Sequence, residues 1–218
     1  MTEIEKEFFR VIKLFADNDC LKHVVLIGSW AEHIYQNTEM LPNGITALKT
    51  LDIDFLVKNL RLPQPPINLE SLAIGEGFAV DNDSLLGTTK IRTGSRLEIE
   101  FLINQKGAGT EPVYRTALGV TAQALRGLDL LLYETKTIDY LGAEITVPIP
   151  EAYIIHKIII NATRNNEAKR EKDRVSIHSI FPHLNKEKYS LLLDKATKKQ
   201  RKAIDDFWLE NPMPLSVD

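Results

Sequence analysis

Residues 23–35 of the chain read HVVLIGSWAEHIY, and this stretch decides the fold. The apolar run from His23 to Ile27 is rich in β-branched residues and stops at Gly28, which predicts a buried strand. Ser29 followed three residues later by Glu32 is a capping-box pattern, so we expect a helix from Ser29 to about residue 35. Gly28 would let the backbone approach a phosphate, with the helix amides and the Ser29 hydroxyl as donors. A purely structural strand-to-helix turn is the alternative.

A second strand is predicted at residues 51–57, LDIDFLV, after a loop at residues 36–50. Asp52 and Asp54 are two residues apart, so both side chains should project from one face of the strand, about 7 Å apart. Carboxylates in so apolar a segment need a positive partner. A divalent cation is the simplest partner. A solvated strand edge, or an ion pair with a lysine, is the alternative.

Polar and apolar residues alternate again within the run from Lys90 to Ile103, which predicts a strand with one buried and one functional face. The polar members are Arg96, Glu98 and Glu100, and the apolar members are Leu97, Ile99 and Phe101. Two acidic pairs on adjacent strands would repel each other without a cation. We therefore expect Asp52, Asp54 and Glu100 to hold two Mg²⁺ ions. Spacing alone leaves Glu98 open as the third ligand.

Helices are predicted at both ends of the chain. The first is amphipathic, with apolar residues at helical spacing, and β-like segments near 130–140 and 143–149 precede a helical pattern from Glu151 onward. The apolar positions of the first helix are Ile4, Phe8, Val11, Ile12 and Phe15. We expect an α+β fold in which a mixed sheet is flanked by helices. Residues 1–150 would form the core domain, and residues 151–218 would form a helical bundle.

Composition narrows the function classes. A chain of 218 residues that is 44% hydrophobic and 26% charged is typical of a folded protein, and its formal net charge of -3 does not indicate a general nucleic-acid binder. Its single cysteine, Cys20, excludes an internal disulfide and a cysteine-built metal site. The first residues contain no apolar run of signal-peptide or membrane-spanning length, so a cytoplasmic location without membrane contact is expected.

Two basic features are candidates for binding phosphate or RNA. Lys157, Asn161 and Arg164 fall at helical spacing on one polar face, where a solvated surface is the alternative. A basic run near the end of the chain is the best candidate for an RNA contact, although such runs are usually solvated helix faces. This run consists of Lys195, Lys198, Lys199, Arg201 and Lys202.

The runs VLIGSWAEHIY (residues 25–35) and KTLDIDFLV (residues 49–57), with the later carboxylate strand, resemble the polymerase-beta-type nucleotidyltransferase superfamily. The superfamily pattern is a hydrophobic strand, Gly-Gly or Gly-Ser, and then Asp-x-Asp or Asp-x-Glu. Lys49-Thr50 is similar to the basic-then-hydroxyl pair that precedes these aspartates in several branches. The resemblance implies magnesium-dependent transfer of a nucleoside monophosphate from a nucleoside triphosphate, bound over Gly28 and Ser29, to an acceptor hydroxyl.

The second half of the chain resembles AbiEii-like and MenT-type nucleotidyltransferase toxins. The similarity covers EITVP (residues 144–148), the helix that carries His156 and Lys157, and REKD (residues 170–173). It implies that Lys157 contacts the triphosphate and that Asp173 lies near the acceptor or the metal. It also implies RNA, such as tRNA, or a protein as acceptor, and an antitoxin as partner. A small-molecule acceptor, as in antibiotic-modifying relatives, and a catalytically silent nucleotide-binding module are the alternatives.

Overall fold

The computed structural model describes residues 1–42, 45, 50–94, 96–105 and 111–213. The chain divides into two compact units. The first consists of Met1–Ile34 and Lys49–Pro148, and the second of Tyr35–Leu48 and Ile149–Asp218. Among the residues described, no helix is both long and apolar enough to cross a membrane.

A mixed sheet forms the centre of the first unit, with strand order β1-β2-β5-β4-β3. β2 and β5 run parallel, whereas β1 pairs with β2, and β4 with β5, in antiparallel fashion. β7 pairs in parallel with the last residues of β5, and β6 pairs with β7. The strands are β1 (Val24–Ile27), β2 (Asp52–Val57), β3 (Ala79–Asn82), β4 (Thr89–Arg92), β5 (Glu98–Asn104), β6 (Val113–Arg115) and β7 (Thr121–Leu125). β8 (Thr135–Tyr140) and β9 (Ala143–Pro148) form a separate two-stranded sheet.

The first helix covers the apolar face of the central strands. Thr2 and Glu5 form a capping box at its start, and its predicted apolar residues Phe8, Val11, Ile12 and Phe15 are all buried. Phe15 stacks on Phe55 of β2 at 4.5 Å between ring centroids, and it lies 6.3 Å from Phe101 of β5. Side chains alternate along a strand, so the residues just before these two phenylalanines, Asp54 and Glu100, belong to the opposite face.

The helices of the first unit are α1 (Glu3–Asp17), α2 (Gly28–Gln36, whose last two residues belong to the second unit), α3 (Leu69–Gly75) and the short α4 (Leu130–Tyr133). The predicted order of strand, Gly-Ser and helix is confirmed, with α2 beginning one residue before Ser29. Of the β-like region near 130–140, only the part from Thr135 onward is a strand.

The predicted strand with one buried and one functional face is confirmed as β5, but it does not include Arg96 and it does not span the whole run from Lys90 to Ile103. The run is a hairpin, in which β4 ends at Arg92 and β5 begins at Glu98. Thr93 N–H donates to Leu97 O at 2.9 Å and Arg96 N–H donates to Thr93 O at 3.2 Å, which closes the turn. Arg96 has a φ of 71°, in the left-handed region, so it cannot continue the strand alternation.

Helices make up the second unit. α5 (Pro150–Asn161) begins with a proline, which suits the first helical turn, and α6 (Glu167–Ile180), α7 (Lys186–Lys195) and α8 (Lys198–Glu210) follow. Asn166, Asn185 and Thr197 cap these three helices with their side-chain oxygens. α5 contacts α6, α7 and α8. Its buried residues include Ile154, Ile155 and Ile158.

The predicted polar face of α5 is wrong in two respects. The helix ends at Asn161, so Arg164 lies in the connection to α6. Asn161 is buried, and its side-chain amide donates to Arg170 O at 2.9 Å. Because the helix stops at Asn161, helical spacing does not predict where the Arg164 side chain lies.

Candidate active site

Four carboxylates share one face of the central sheet. In the parallel register of β2 and β5, Asp54 lies opposite Glu100 and Asp52 lies opposite Glu98. Directly opposed strand residues have Cβ atoms about 5 Å apart, so each pair is close enough for strong electrostatic interaction. Asp52 is exposed, and the other three are partly buried. The strand register therefore brings together the four acidic residues that the sequence predicted as a group.

Gly28 contacts the second aspartate of the Asp-x-Asp pair. Its φ is +68°, in the left-handed region, and a Cβ atom at this position would lie 2.2 Å from Oδ2 of Asp54. No side chain other than hydrogen fits there while Asp54 keeps its position. The glycine and the aspartate, 26 positions apart by their residue numbers, are thus two sides of one close contact.

Ser29 connects the start of α2 to the start of β2. Its Oγ lies 2.9 Å from the Thr50 hydroxyl and accepts a hydrogen bond from the Thr50 N–H at 3.2 Å. The Thr50 hydroxyl in turn donates to the carbonyl of Asp52 at 3.2 Å. This chain of contacts fixes the backbone at the first carboxylate. Lys49, the basic member of the predicted Lys49-Thr50 pair, lies outside the described residues.

Two cations from β4 meet the carboxylates of β5, and sequence analysis missed both. In the antiparallel register, Lys90 lies opposite Glu100 and Arg92 lies opposite Glu98. The Lys90 ammonium bonds to Oε1 of Glu98 and also donates to Oε1 of Glu100 at 3.2 Å. Arg92 Nε donates to Oε2 of Glu98 at 2.8 Å. A turn signal was present in TKIRTGSRLEIE, where Gly94 and Ser95 separate two alternating runs.

Glu98 and Glu100 differ in their charged partners. Burial acts to raise the pKa of Glu98, but hydrogen bonds from Lys90 and Arg92 outweigh burial and lower that pKa below its usual range. The hydrogen bond to Glu98 is also the largest cause that raises the pKa of Lys90. Glu98 is thus held as an ionised partner of two cations, whereas Glu100 shares one of them and faces Asp54.

We call the sheet face that carries Asp52, Asp54, Glu98 and Glu100 the acidic face. Its side chains are suitable ligands for magnesium. Its side-chain donors are carboxylate oxygens, which hard divalent cations prefer, and Gly28 leaves room for Asp54 at the end of β1. In the part of the chain that the structure describes, no three metal-binding side chains are gathered as they would be around a bound ion. Glu98 and Glu100 both accept hydrogen bonds from Lys90. Asp52, Asp54, Glu100 and Glu98 as metal ligands stay a prediction.

The second unit contains its own charged cluster around Asp173, a residue only 4% exposed. Lys157 Nζ donates to Oδ1 of Asp173 at 3.2 Å, and Arg164 Nε donates to Oδ2 at 2.5 Å. Lys157 Nζ also lies 5.4 Å from the ring centroid of Tyr153. Lys157 and Asp173, which the sequence predicted as site residues, are therefore in direct contact. Arg164 is the member of this cluster whose contact the sequence did not indicate.

A nucleotidyltransferase family model matches residues 6–202 of the chain. The chain belongs to the nucleotidyltransferase family. Its fold is similar to the crystal structure of an antigenic nucleotidyltransferase-like protein from Paracoccidioides brasiliensis, with a TM-score of 0.59 and 15% identity over 93% of this chain and 88% of that one. A second solved structure, ANT(2'')-Ia in complex with adenylyl-2''-tobramycin, gives a TM-score of 0.48 and 14% identity over 95% and 99% of the two chains. No curated protein matches the sequence.

Family membership and the first structural likeness confirm the predicted α+β nucleotidyltransferase fold with its mixed sheet. In a nucleotidyltransferase, a nucleoside triphosphate is the donor, so the site has to hold a polyanion close to carboxylates. That requires added positive charge, which a metal ion or basic side chains can supply. The residues of the acidic face and their neighbours on β4 are compatible with either source of positive charge, a bound metal ion or basic side chains.

Proposed function

We propose that this nucleotidyltransferase transfers a nucleoside monophosphate from a nucleoside triphosphate to an acceptor hydroxyl, with Asp52, Asp54 and Glu100 as ligands for magnesium. One observation carries the proposal. Asp54 lies against Gly28 and in register with Glu100, so the Gly-Ser turn and both acidic strands meet around one carboxylate. We also propose that residues 1–150 form the catalytic core domain and residues 151–218 the helical domain.

The reaction forms a bond between the acceptor oxygen and the α-phosphorus and breaks the bond between that phosphorus and the bridging oxygen of pyrophosphate. Magnesium bound by the carboxylates would neutralise charge on the phosphates and favour ionisation of the acceptor hydroxyl. Gly28 lets the Asp54 carboxylate approach the start of α2, and the amides at the start of α2 would donate to the triphosphate oxygens. Ser29 and Thr50 hold the first carboxylate strand in place while pyrophosphate leaves.

Nucleotide incorporation tests this assignment. Asp54→Ala removes the carboxylate at the centre of the proposed site, and we expect its incorporation rate to fall by at least about a thousandfold. The measurement is transfer of labelled nucleotide to acceptor in magnesium buffer, with circular dichroism to show that the variant is folded. If the folded Asp54→Ala protein labels the acceptor at the wild-type rate, Asp54 is not part of the catalytic site.

The neighbouring glutamates provide a matched pair of variants in the same assay. Glu100→Gln should lower the rate by more than about a hundredfold, and Glu98→Gln by less than about tenfold, because Lys90 and Arg92 already neutralise Glu98. The two substitutions remove the same charge, two residues apart on one strand. A larger loss from Glu98→Gln than from Glu100→Gln would transfer the ligand role to Glu98.

RNA, such as tRNA, is the acceptor that we propose, with growth inhibition and an antitoxin partner as the biological setting. The resemblance of the second half to AbiEii-like and MenT-type toxins supports this choice. So does charge: residues 149–218 contain 13 lysines and arginines against 10 acidic residues, in a chain whose net charge is -3. Lys157 would contact the triphosphate, and Asp173 would hold Lys157 and Arg164 in place.

Acceptor choice can be tested with one set of incubations. Total RNA, total cell protein and an aminoglycoside are each mixed with the enzyme and each labelled nucleoside triphosphate in turn. Label on RNA, lost with Asp54→Ala, supports the RNA reading. Label on protein or only on the aminoglycoside would replace RNA by that acceptor class while leaving the transfer chemistry intact.

A catalytically silent nucleotide-binding module is the second candidate, and one observation favours it. Lys90 and Arg92 already neutralise Glu98, and Lys90 also contacts Glu100, so the acidic face has protein cations of its own. Calorimetry with magnesium and nucleotide separates the two functions. Binding without incorporation on every acceptor would establish the silent module.

A further inference from the structure

We propose that Lys90 is a built-in counterion of Glu100, which holds this carboxylate until a divalent cation displaces the ammonium group. The inference rests on the proposed function and adds to it a residue that controls metal binding. Lys90 acts on the site through Glu100 and is a positioning residue. It would partly neutralise the acidic face in the free enzyme and set how tightly the metal binds.

Geometry puts Lys90 at the junction of three carboxylates. Its Nζ bonds to Glu98, lies 3.2 Å from Oε1 of Glu100 and lies 3.9 Å from Oδ2 of Asp83. Asp83 is itself fixed in the turn before β4, because its Oδ1 accepts the N–H groups of Leu85 and Leu86, both at 2.9 Å. Lys90 can therefore leave Glu100 and keep two acidic partners, which makes the exchange with a metal possible without exposing an unpaired ammonium group.

Burial makes the contact strong enough to matter. The side chains of Lys90, Glu98 and Glu100 are 20%, 19% and 34% exposed, so these pairs are screened less than ordinary surface ion pairs. Glu100 is the more exposed of the two glutamates and the more distant from Nζ. An incoming metal ion should therefore displace the Lys90 ammonium group from Glu100 more easily than from Glu98.

Arg92 is a natural control for Lys90. It lies two residues later on β4, carries the same charge and bonds to Glu98, but its other carboxylate contact is Asp81, at 3.5 Å. Removing Arg92 changes the net charge of the acidic face as much as removing Lys90 does. Only the loss of Lys90 frees Glu100 from a hydrogen bond.

The experiment is titration calorimetry of the full chain with MgCl₂, and with MnCl₂ as a tighter probe, in the absence of nucleotide. Lys90→Met should bind the metal about tenfold more tightly than the wild type, because the metal no longer displaces a charged hydrogen bond. Arg92→Met should stay within about twofold of the wild type. Lys90→Arg should restore wild-type affinity, since it returns a charged donor to the same position. Melting temperatures with and without metal should give the same order.

Three outcomes would overturn the inference: no tightening in Lys90→Met, equal tightening in Arg92→Met, or tightening that survives when Glu100→Gln is added to Lys90→Met. If Lys90→Met fails to fold, Lys90→Gln is measured in its place, with the same outcomes. Adding Asp54→Ala separates this inference from the proposed function. If Asp54→Ala abolishes metal binding but Lys90→Met leaves the affinity unchanged, the counterion role of Lys90 is rejected and the proposed metal site stands. Metal binding that Asp54→Ala leaves intact rejects the proposed metal site as well.

Discussion

Gly28 occupies the most constrained position of the acidic face. Two independent restrictions apply there: a left-handed backbone, and a carboxylate oxygen 2.2 Å from where a Cβ would be placed. Most of the left-handed glycines that the structure describes meet only the first restriction, because nothing lies within 4 Å of a Cβ built on them. Gly142, in the β8–β9 turn with a φ of 83°, is an example.

Gly28→Ala should therefore damage the site as well as the backbone. We expect the free energy of unfolding to fall by about 1–3 kcal/mol, from strain in the left-handed region and displacement of Asp54. Incorporation should fall by at least about a hundredfold, since small displacements of a reacting group are costly. Stability is measured by urea unfolding and activity by nucleotide labelling.

Gly142→Ala is the control for that substitution, because it introduces similar backbone strain into an open turn. It should cost about 1 kcal/mol of stability and leave incorporation unchanged. Equal activity loss in both variants would mean that the Gly28 effect comes from general destabilisation.

Sequence alone could predict the four carboxylates and their common face, because Asp52, Asp54, Glu98 and Glu100 alternate with apolar residues. It could not decide between Glu98 and Glu100, since spacing is identical for both. The distinction comes from Lys90 and Arg92 on the next strand, whose register depends on a turn with Arg96 in the left-handed region. Gly94 and Ser95 indicate a turn, but few non-glycine residues adopt the left-handed conformation of Arg96, so the strand register across this turn does not follow from the sequence.

At the scale of elements, the junction of α5 and α6 depends on Asp173. This buried carboxylate accepts hydrogen bonds from Lys157 on α5 and Arg164 in the connection to α6. Removing a buried charge from such a cluster leaves its partners without compensation, which costs more than the original contacts contribute. Helical spacing pointed to Lys157, but Asp173 was predicted only through a family resemblance, because nothing in the pattern of α6 indicates that Asp173 is buried.

Asp173→Asn should lower the free energy of unfolding by about 2–3 kcal/mol, because an amide cannot balance two cations. Asp194→Asn is the matched control, since Asp194 is 71% exposed and pairs with Arg201 at 3.3 Å. Its loss should cost less than about 0.5 kcal/mol. Urea unfolding of both variants provides the comparison. Similar losses in the free energy of unfolding would show that the contacts of Asp173 contribute no more than a surface ion pair.

At the scale of the whole molecule, Cys20 reports on folding of the first unit. The side chain is fully buried, and burial raises the pKa of its thiol to about 12. The thiol is therefore neutral across the working pH range, and only the thiolate reacts with alkylating reagents. Because the folded-state pKa is raised above the ordinary value of 9.0, the unfolded chain loses its thiol proton first, so the free energy of unfolding should fall as the pH rises from 9.0 toward 12.

Alkylation of Cys20 by iodoacetamide at pH 8 should be at least about a hundredfold slower in the native protein than in urea. Mass spectrometry measures the modified fraction over time. Comparable rates in the two conditions would mean that the segment around Cys20 opens readily. Cys20→Ala, which should take up no label, controls for reaction at other side chains.

The pairing of β5 with two different neighbours also has a consequence for the order of assembly. Only residues 93–97 separate β4 from β5, whereas residues 58–97 separate β2 from β5. Short loops close faster than long ones, so during refolding the hairpin should bring Lys90 and Arg92 to Glu98 and Glu100 before Asp52 and Asp54 arrive. The repulsion among the four carboxylates should then already be reduced when β2 docks, so the cations that hold Glu98 and Glu100 in the finished site would also favour its assembly.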